Sequence, residues 1–355
     1  MKRFKALLDE LKCTGKLSGD GWLYLLSGTA APFRNEAASL AEKITLEKFG
    51  NKIFVRGIVE FSNFCSNDCF YCGIRCSNKK AARYRLEEKE ILECCSAGYE
   101  YGFRTFVLQS GEDAFWNSDR LAALVKNIKA HFPACAVTLS VGELERSQYQ
   151  QLFDAGCDRY LLRHETFNEK HYQELHPSEM NRKHRLLCLQ WLKIIGYQTG
   201  TGIMVGSPGQ TVDHLVEDIQ FIERFQPEMI GIGPFIPHAD TPFANHPSGS
   251  IDMTLKLISI FRLMHPSALI PATTALATLS TDGRERGILA GANVVMPNLS
   301  PSSVREKYSL YNNKAAFGSE AAEGLKQLEM QLEKIGYTIS YLRGDYKLCT
   351  NPNQE

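Results

Sequence analysis

Three cysteines close together in the sequence place the strongest constraint on this chain. Cys65, Cys69 and Cys72 have the spacing Cys-x3-Cys-x2-Cys, and Tyr71 directly precedes the third cysteine. A 4Fe-4S cluster that is closed by protein ligands alone needs four thiolates, so three thiolates leave one iron free to bind a substrate or cofactor. The spacing therefore predicts an iron–sulfur cluster with one open iron.

Two other uses of these cysteines are weighed. With Cys76 the group offers the four ligands of a structural zinc site, although such sites usually take their ligands from two well-separated pairs. A disulfide framework fits poorly, because a chain of 355 residues builds an ordinary hydrophobic core without cross-links. The open cluster is the favoured interpretation.

Composition is typical of a soluble globular protein, with 44% hydrophobic and 23% charged residues. Forty lysines and arginines balance forty aspartates and glutamates, which predicts neither a nucleic-acid nor a membrane partner. The longest apolar runs are too short to span a bilayer, and the amino terminus lacks the apolar core of a signal peptide. We therefore expect a cytoplasmic protein. Most of the scattered cysteines are expected to be small buried hydrophobes: Cys13, Cys94, Cys95, Cys135, Cys157, Cys188 and Cys349.

Short apolar segments rich in β-forming residues alternate with longer amphipathic segments. The eight apolar segments are residues 53–60, 105–109, 136–141, 159–163, 198–205, 229–233, 269–274 and 293–296. Several are continuously apolar, which is typical of parallel strands that are buried on both faces. Eight strands alternating with helices predict an α/β fold of the (β/α)8 TIM-barrel type, and a doubly wound open sheet is the alternative.

Helical signals and composition divide the chain into three parts. Thr211 is a candidate N-cap for one amphipathic helix, and Gly196 is a candidate end for the helix before it. We predict an N-terminal helical extension over 1–50 and the barrel over 51–312. A C-terminal helix and tail follow over 313–355, and the last fifteen residues are expected to form a loose tail.

Polar residues follow several of the predicted strands. The cysteine loop follows the first strand, residues 110–113 the second and residues 163–166 the fourth, while 203–206 and 272–274 close the fifth and seventh. The carboxyl ends of barrel strands meet at one rim, where such barrels carry their active sites. We therefore expect these polar residues to converge on one end of the barrel.

The cysteine motif resembles the radical S-adenosylmethionine (SAM) superfamily, whose members carry Cys-x3-Cys-x-aromatic-Cys on a β/α barrel. Ser110-Gly111-Glu112 is similar to the Gly-Gly-Glu sequence of that superfamily. Six further runs resemble the HydE family of FeFe-hydrogenase maturases: residues 107–113, 160–166, 204–211, 231–242, 270–275 and 291–298. The related biotin synthases and methylornithine synthases match these six runs less well. The resemblance covers roughly residues 50–312, and joint occurrence makes it more specific than any single motif.

The resemblance implies a chemistry and a set of partners. SAM would chelate the open iron, and one-electron reduction would cleave it to methionine and a 5′-deoxyadenosyl radical. In the maturase family the radical is expected to act on a cysteine-bound iron carbonyl cyanide or a related thiol or thioether substrate, in assembly of the di-iron subcluster of the hydrogenase active site. The implied partners are this small-molecule or organometallic substrate, an electron donor such as flavodoxin or ferredoxin, and other hydrogenase maturases.

The resemblance also implies roles for individual residues. Cys65, Cys69 and Cys72 would hold the 4Fe-4S cluster, and Cys76 would be a nearby free thiol. The residues expected to bind SAM are Gln109, Ser110, Gly111, Glu112, Ser140, Glu165, Arg185, Met204 and Val205. Those expected to face the substrate are Arg56, Thr138, Met229, Thr273, Thr274, Tyr308 and Tyr311.

Several of these residues have an ordinary structural explanation as well. Glu165 is also placed to form an ion pair with Arg163, and Met204 and Val205 are also plain core residues at a strand end. Arg56 inside a barrel would be a costly unpaired charge, so it calls for an anionic ligand or an acidic partner.

A second iron–sulfur cluster is predicted to be absent. Several maturases of this family carry three more cysteines beyond the last strand, whereas residues 314–327 here contain no cysteine and Cys349 stands alone.

Two other functions are weighed. One is a radical SAM mutase or sulfur-chemistry enzyme that acts on an amino-acid-derived substrate, and the other is a non-enzymatic carrier of an iron unit. The runs 231–242 and 272–274 favour the maturase over the mutase, and Glu112 together with Arg185 argues against the carrier.

Overall fold

Parallel strands alternate with helices along the described chain. The computed structural model describes residues 2–28 and 31–346, without the side chains of residues 31–34. Six strands form one sheet in the order β2-β3-β4-β5-β6-β7, and three form another in the order β8-β1-β9. The strands are β1 (Lys52–Val55), β2 (Gly57–Ser62), β3 (Thr105–Ser110), β4 (Ala136–Ser140), β5 (Arg159–Leu161), β6 (Gln198–Val205), β7 (Met229–Pro234), β8 (Val294–Val295) and β9 (Thr338–Ser340).

Backbone hydrogen bonds join β8 to both halves of the first predicted strand. The amide of Arg56 donates to Val295 O at 3.0 Å, and the amide of Ile58 donates to Pro297 O at 3.0 Å. Because β1 and β2 are separated only by Arg56, these bonds connect the two sheets along one continuous edge. The resulting architecture is the predicted (β/α)8 barrel, and the doubly wound open sheet is wrong.

The seventh predicted strand, 269–274, is the weakest part of the ring. The amide of Ile230 donates to Leu269 O at 3.1 Å, and the amide of Ala272 donates to Val294 O at 2.9 Å, so the segment links β7 to β8. It pairs only through isolated bridges, and the helix Thr274–Leu279 already begins at its last residue. The expectation of a full strand is therefore wrong at its carboxyl end, where the chain leaves the sheet.

Helices cover the outside of the strands and bury their apolar faces there. Thr211 caps the helix Val212–Phe225 by accepting a hydrogen bond from the amide of His214, and Gly196 ends the helix Arg182–Ile195 with a φ of 109°, as both were predicted to do. No helix within residues 2–28 and 31–346 is long and apolar enough to cross a membrane. The helices are α1 (Lys2–Thr14), α2 (Gly19–Ser27), α3 (Ala31–Phe49), α4 (Glu88–Glu100), α5 (Ser118–His131), α6 (Arg146–Asp154), α7 (Glu169–Leu175), α8 (Arg182–Ile195), α9 (Val212–Phe225), α10 (Ile251–Met264), α11 (Thr274–Leu279), α12 (Gly283–Leu289), α13 (Ser302–Arg305) and α14 (Leu325–Lys334).

Most of the scattered cysteines are buried, as expected. Cys94 and Cys95 are buried on α4, and Cys135, Cys157 and Cys188 are buried elsewhere in the core. Cys13 is exposed. Cys349 lies outside the described residues.

The segment after α14 packs beneath the barrel. Strand β9 pairs with β1, and the chain then brings Asp345 to within 2.7 Å of the guanidinium of Arg159, whose side chain is fully buried. Arg343 forms an ion pair with Asp158 at 2.6 Å, and its carbonyl oxygen accepts a second hydrogen bond from Arg159 at 2.9 Å. The expected loose tail is therefore wrong for residues 341–346, because buried arginine charge at the base of the barrel needs these partners. Residues 347–355 lie outside the described range.

Replacing Asp345 by asparagine should destabilise the protein in a pH-dependent way. Burial raises the pKa of Asp345, but Arg159 and Arg343 outweigh burial and hold that pKa below its ordinary value. The ionised carboxylate therefore stabilises the folded protein fully at pH values above the ordinary pKa of an aspartate. This stabilisation is lost as the pH falls through the lower pKa of the folded state. Since Asp345 is 32% exposed, we expect a loss of about 1–3 kcal/mol in the free energy of unfolding near neutral pH.

Urea unfolding of the apoprotein near neutral pH and at about pH 3 measures this effect. The matched control is Glu93→Gln, which removes an exposed ion pair with Lys89 and should change the free energy of unfolding by less than about 0.5 kcal/mol. An equal loss for D345N at both pH values would show that the charge is not the cause.

Candidate active site

The loop that carries the three predicted cluster cysteines is held by a hydrogen-bond network centred on Asp68, which is partly exposed. Asp68 accepts hydrogen bonds from Nε and Nη2 of Arg75 at 2.6 and 2.5 Å, and from Oγ of Ser77 at 2.7 Å. The hydrogen bonds from Arg75 are the main reason that the pKa of Asp68 lies well below its ordinary value. The amide of Cys76 donates to Asn67 O at 2.9 Å, so the loop is ordered by hydrogen bonds that do not use the cysteine sulfurs.

The thiols of Cys65, Cys69 and Cys72 share one apolar environment. Burial raises the pKa of Cys72 to about 12, with a further contribution from Cys65. Burial and then Cys72 raise the pKa of Cys69, and burial raises that of Cys65. Three neighbouring thiols that resist ionisation need a metal centre to become thiolates, and thiolate is the donor that iron–sulfur clusters require. The donor set therefore fits a cluster with three cysteine ligands.

Cys76 and Met180 are the other sulfur groups near this loop. Cys76 is exposed, and it contributes to the raised pKa of Cys65 through charge proximity. The thioether sulfur of Met180 lies 3.6 Å from Sγ of Cys69. Met180 was not singled out in the sequence, because nothing in its local pattern distinguishes it from a packing residue.

The end of β3 lies directly against the start of the cysteine loop. A Cβ atom at Gly111 would lie 2.6 Å from Cβ of Cys65 and would also collide with the carbonyl oxygen of Phe64. Only glycine permits this approach. Asp113 then accepts a bidentate pair from Arg85 at 2.6 and 2.8 Å, which ties the same strand end to the far side of the loop.

Glu112 and Arg185 converge beside the cysteines through the carboxylate of Glu143. Oε1 of Glu112 accepts the amide hydrogen of Glu143 at 2.9 Å, and Oε1 of Glu143 accepts from Nε of Arg185 at 2.8 Å. Burial raises the pKa of Glu112, and Arg185 opposes that shift. Gly142 adopts a φ of 89°, and any side chain there would collide with Glu112. A hydrogen-bond acceptor and a cation therefore lie on one side of the cysteine loop, close enough for Glu112 to act on Cys65 and Arg185 on Cys69 through their charges.

Glu165 lies on the adjacent strand end in an uncommon backbone conformation. Its φ is 63°, in the left-handed region that glutamate seldom occupies, and its side chain is mostly buried. Its carboxylate pairs with Arg163 at 3.0 Å, and the carbonyl oxygen of Arg163 accepts a hydrogen bond from Nη1 of Arg185 at 3.0 Å. The ion pair weighed from the sequence is thus present, and it connects Glu165 to Arg185 through one residue.

The remaining residues expected to bind SAM line the same rim. Gln109 and Ser140 pair across β3 and β4 at the strand ends, and the hydroxyl of Ser110 donates to Gly111 O at 2.7 Å. Met204 packs beside Tyr71 in a small apolar cluster, whereas Val205 belongs to the main core. The structure therefore brings this predicted set to one end of the barrel, although Val205 points into the general packing.

The residues expected to face the substrate fall into two groups. At the carboxyl end, the hydroxyl of Tyr308 accepts from Nε2 of Gln109 at 3.3 Å, and the hydroxyl of Thr274 donates to Glu320 at 2.9 Å. The hydroxyl of Thr273 is buried without a hydrogen-bond partner. Burial raises the pKa of Tyr311, whose neighbours include Thr278 and Glu60.

The second group lies towards the base of the barrel. Nη1 of Arg56 approaches the sulfur of Met229 at 3.1 Å, and its Nη2 approaches Gly344 O at 3.4 Å. Burial lowers the pKa of Arg56, Arg159 lowers it further, and Asp345 opposes both. Arg56 thus has an acidic neighbour from the segment beneath the barrel. The hydroxyl of Thr138, on the strand β4, is buried without a hydrogen-bond partner.

Two acidic residues near the site were missed by the sequence analysis. Glu143 connects Glu112 to Arg185, and its position three residues after β4 could have marked it, because polar residues after five other predicted strands were assigned to the rim in that way. Glu320 contacts Thr274 and pairs with Arg284, but it comes from the segment after the barrel, where no local pattern indicates its return to the rim.

Comparison with known proteins agrees with this geometry. A family model described as the radical SAM superfamily matches residues 59–222. The chain is 47% identical over 281 residues to the FeFe hydrogenase maturase subunit HydE of Thermotoga maritima, which covers 79% of this chain and 80% of that protein. It is 28% identical over 323 residues to 3-methylornithine synthase of Methanosarcina acetivorans, with 90% of each protein covered.

Solved structures share the fold. The crystal structure of methylornithine synthase superposes with a TM-score of 0.83 at 27% identity and covers 94% of this chain and 97% of that one. The maturase HydG superposes with a TM-score of 0.82 at 20% identity, covering 97% of this chain and 77% of that one, and shows likeness of fold alone. The motif, the barrel and the relatives lead to one conclusion: the chain belongs to the radical SAM superfamily of enzymes and is a homologue of the hydrogenase maturase HydE.

Proposed function

We propose that this enzyme acts in assembly of the di-iron subcluster of the FeFe-hydrogenase active site. The observation that carries the proposal is the 47% identity to HydE over 79% of the chain. The proposed substrate is a cysteine-bound iron carbonyl cyanide or a related thiol or thioether compound. An electron donor such as flavodoxin or ferredoxin and the other maturases are the proposed partners.

Cys65, Cys69 and Cys72 are proposed to hold one 4Fe-4S cluster, with Cys76 as a free thiol. The cluster, together with SAM, supplies one-electron reduction and radical chemistry when both are bound. The chain's own contribution is to provide three thiolates from a loop that Asp68 and its partners already order. A fourth cysteine ligand would occupy the position that SAM needs.

Glu112 and Arg185 are proposed to bind the two charged groups at the methionine end of SAM. An ionised carboxylate only accepts hydrogen bonds, so Glu112 suits an ammonium group. Nε of Arg185 donates to Glu143 and Nη1 donates to Arg163 O, and the hydroxyl of Tyr172 also lies beside the guanidinium. The N–H groups that remain are available to a carboxylate. The guanidinium is therefore oriented before the ligand arrives, which lowers the entropy cost of binding.

The other rim residues are proposed to surround the rest of SAM and to exclude water. Met204 beside Tyr71 would pack against the adenosine part, with Val205 behind it. Glu165 is held by Arg163 and would contact the ligand from the same wall. Gln109, Ser110, Gly111 and Ser140 would contact it from the ends of β3 and β4.

The interior of the barrel is proposed to accept the substrate. Thr273 and Thr138 carry buried hydroxyls without partners, and such groups usually acquire a ligand or water. Thr274, Tyr308 and Tyr311 would complete the polar wall at the carboxyl end, and Arg56 with Met229 would bound it towards the base. Unsatisfied donors and a cationic arginine suit a substrate with anionic or cyanide-like acceptors.

A second candidate function is a radical SAM mutase on an amino-acid-derived substrate. Its support is the 28% identity to 3-methylornithine synthase over 90% of the chain and the TM-score of 0.83 to a methylornithine synthase structure. Lower identity over greater coverage indicates a shared scaffold more strongly than a shared substrate.

In vitro maturation tests the proposed function directly. Apo-hydrogenase that is incubated with the other maturases should gain hydrogen-evolving activity only when this enzyme, SAM and reductant are all present. Formation of 3-methylornithine from amino-acid precursors is measured in parallel. Activity of the hydrogenase without this enzyme, or production of the amino acid instead, would refute the maturase function.

Replacing Cys69 by alanine should abolish cluster assembly. The wild-type protein, reconstituted anaerobically, should bind about four irons and form 5′-deoxyadenosine with SAM and reductant, and C69A should do neither. The control is Cys76→Ala, which should keep both properties. About eight irons in the wild type would contradict the predicted absence of a second cluster, and full activity of C69A would contradict the ligand assignment.

Replacing Arg185 by alanine should weaken SAM binding while leaving the iron content unchanged. Loss of a charge-assisted hydrogen bond costs about 1.5–3 kcal/mol, which corresponds to roughly a 10- to 150-fold rise in the dissociation constant. Lys183→Ala, an exposed cation on the same helix, is the matched control and should not change the affinity. Equal affinities for R185A and the wild type would remove Arg185 from the SAM site.

A further inference from the structure

Three side chains that commonly ligate metals converge on the outer side of Arg185. Glu143 follows β4, whereas His184 and Cys188 lie one turn apart on α8 and therefore face the same direction. One carboxylate oxygen, one ring nitrogen and one sulfur from these residues all lie within 4.8 Å of one another. None of the three belongs to the cysteine motif or to the set expected to bind SAM.

The distances are close to those of a four-coordinate metal site. Oε2 of Glu143 lies 2.6 Å from Nδ1 of His184, and Sγ of Cys188 lies 3.7 Å from the same nitrogen. Ligand atoms of a tetrahedral zinc site are roughly 3.3–3.7 Å apart, given the usual zinc–ligand bond lengths. The contact between the carboxylate and the imidazole has to lengthen by less than about 1 Å to reach this spacing, and all three donor atoms already lie within 4.8 Å of one another.

The partners of Cys188 among the described residues are weak hydrogen-bonding groups. Its side chain is fully buried, and its sulfur makes long contacts at 3.6 Å to Leu144 O and at 3.7 Å to His184, with the hydroxyl of Tyr149 also beside it. Burial raises the pKa of Cys188 to about 11, so the thiol keeps its proton until a cation displaces it. His184 is 36% exposed, which gives an ion a path from solvent, and the edge of Trp191 orients its ring.

The charges around the three side chains favour a divalent cation. Glu112 and Glu143 are two acids close together, and ionised Cys188 adds a third negative group. Arg185 supplies one positive charge to this set. A divalent cation therefore brings the local charge to balance, and a mixed nitrogen, sulfur and oxygen donor set selects a borderline ion such as Zn²⁺ over Mg²⁺ or Ca²⁺.

We propose that Glu143, His184 and Cys188 form a binding site for one Zn²⁺ ion, and that its occupancy strengthens the hold of Arg185 on the carboxylate of SAM. The second half rests on the proposed role of Arg185. Glu143 is shared, because one of its oxygens faces the metal position and the other accepts from Nε of Arg185. A cation on the first oxygen withdraws charge from the second, so the guanidinium is less neutralised by Glu143 and attracts an anionic ligand more strongly.

Zinc binding is measured on the holoenzyme, with its iron–sulfur cluster already assembled. One equivalent of Zn²⁺ is added, unbound metal is removed, and crystals are measured on both sides of the zinc absorption edge so that zinc is distinguished from iron. We expect one zinc peak between the three side chains. His184→Gln and Cys188→Ala should each lose it, whereas Cys157→Ala, another fully buried cysteine, should keep it.

Iron content and circular dichroism show whether each variant is folded. Because His184 lies partly at the surface, H184Q decides the outcome even where C188A proves unstable. Zinc absent from this position in the wild type, or present there equally in H184Q, would overturn the site. Glu143 and His184 would then be a simple ion pair beside a buried thiol.

The coupling to SAM has its own measurement. Equilibrium binding should show a severalfold lower SAM dissociation constant with zinc than without it in the wild type, and no zinc effect in H184Q. An unchanged dissociation constant in zinc-loaded wild type would overturn the coupling. Zinc binding is observed without turnover, whereas the proposed function is tested by hydrogenase maturation, so failure of one is distinguishable from failure of the other.

Discussion

The close approach of β3 to the cysteine loop is the constraint on which the site depends. Gly111 has no side chain, so its backbone lies against Cys65, and the next residue, Glu112, enters the site within reach of the predicted cluster. A second glycine, Gly142, makes the equivalent space for the side chain of Glu112 on the neighbouring strand end. Two glycines therefore fix the distance between the cysteines that are proposed as metal ligands and the charged groups that are proposed to bind SAM. Any larger residue at either position would move one set relative to the other.

Buried positive charge is the second common theme, and the two ends of the barrel handle it differently. At the rim, Arg185 is compensated by Glu143 and keeps free donors for a ligand. At the base, Arg159 donates to the side chains of Asp345, Gln198 and Thr105 and to one backbone oxygen, that of Arg343. Arg56 lies between these extremes, because it contacts only a thioether and a long carbonyl acceptor while Asp345 is near. Arg159 at the base therefore has more hydrogen-bond partners than Arg56 in the interior of the barrel.

The sequence predicted the barrel because the signals for strands and helix caps lie in a few neighbouring residues. It did not predict contacts between residues that are far apart in the chain. Hydrophobic runs and helix caps such as Thr211 depend on a few neighbouring residues, so seven of the eight predicted strands and both predicted caps are present, while residues 269–274 pair only through isolated bridges. Strand β9 and the residues after it pair with segments nearly two hundred or more positions away, and no periodicity marks them. The motif positions were predictable by resemblance. The place of Glu143 after a strand is a local signal, but its hydrogen bond to Arg185 is a contact between residues 42 positions apart.

The two sides of the candidate site also differ in how many contacts hold them in place. The cysteine loop is fixed by bidentate pairs from Arg75 and Arg85, which hold its geometry whatever occupies the cavity. The opposite wall depends on one carboxylate, Glu143, which has neighbours on both of its oxygens and lies next to a partly exposed histidine. A change in charge at the surface of α8 therefore acts on Arg185 through this single side chain. The two walls still meet at Glu112, because its carbonyl oxygen accepts the amide hydrogen of Ser66 in the cysteine loop at 2.9 Å and its carboxylate accepts the amide hydrogen of Glu143 at 2.9 Å. Glu112 is thus the residue through which the geometry of the cysteine loop and the position of Glu143 constrain each other.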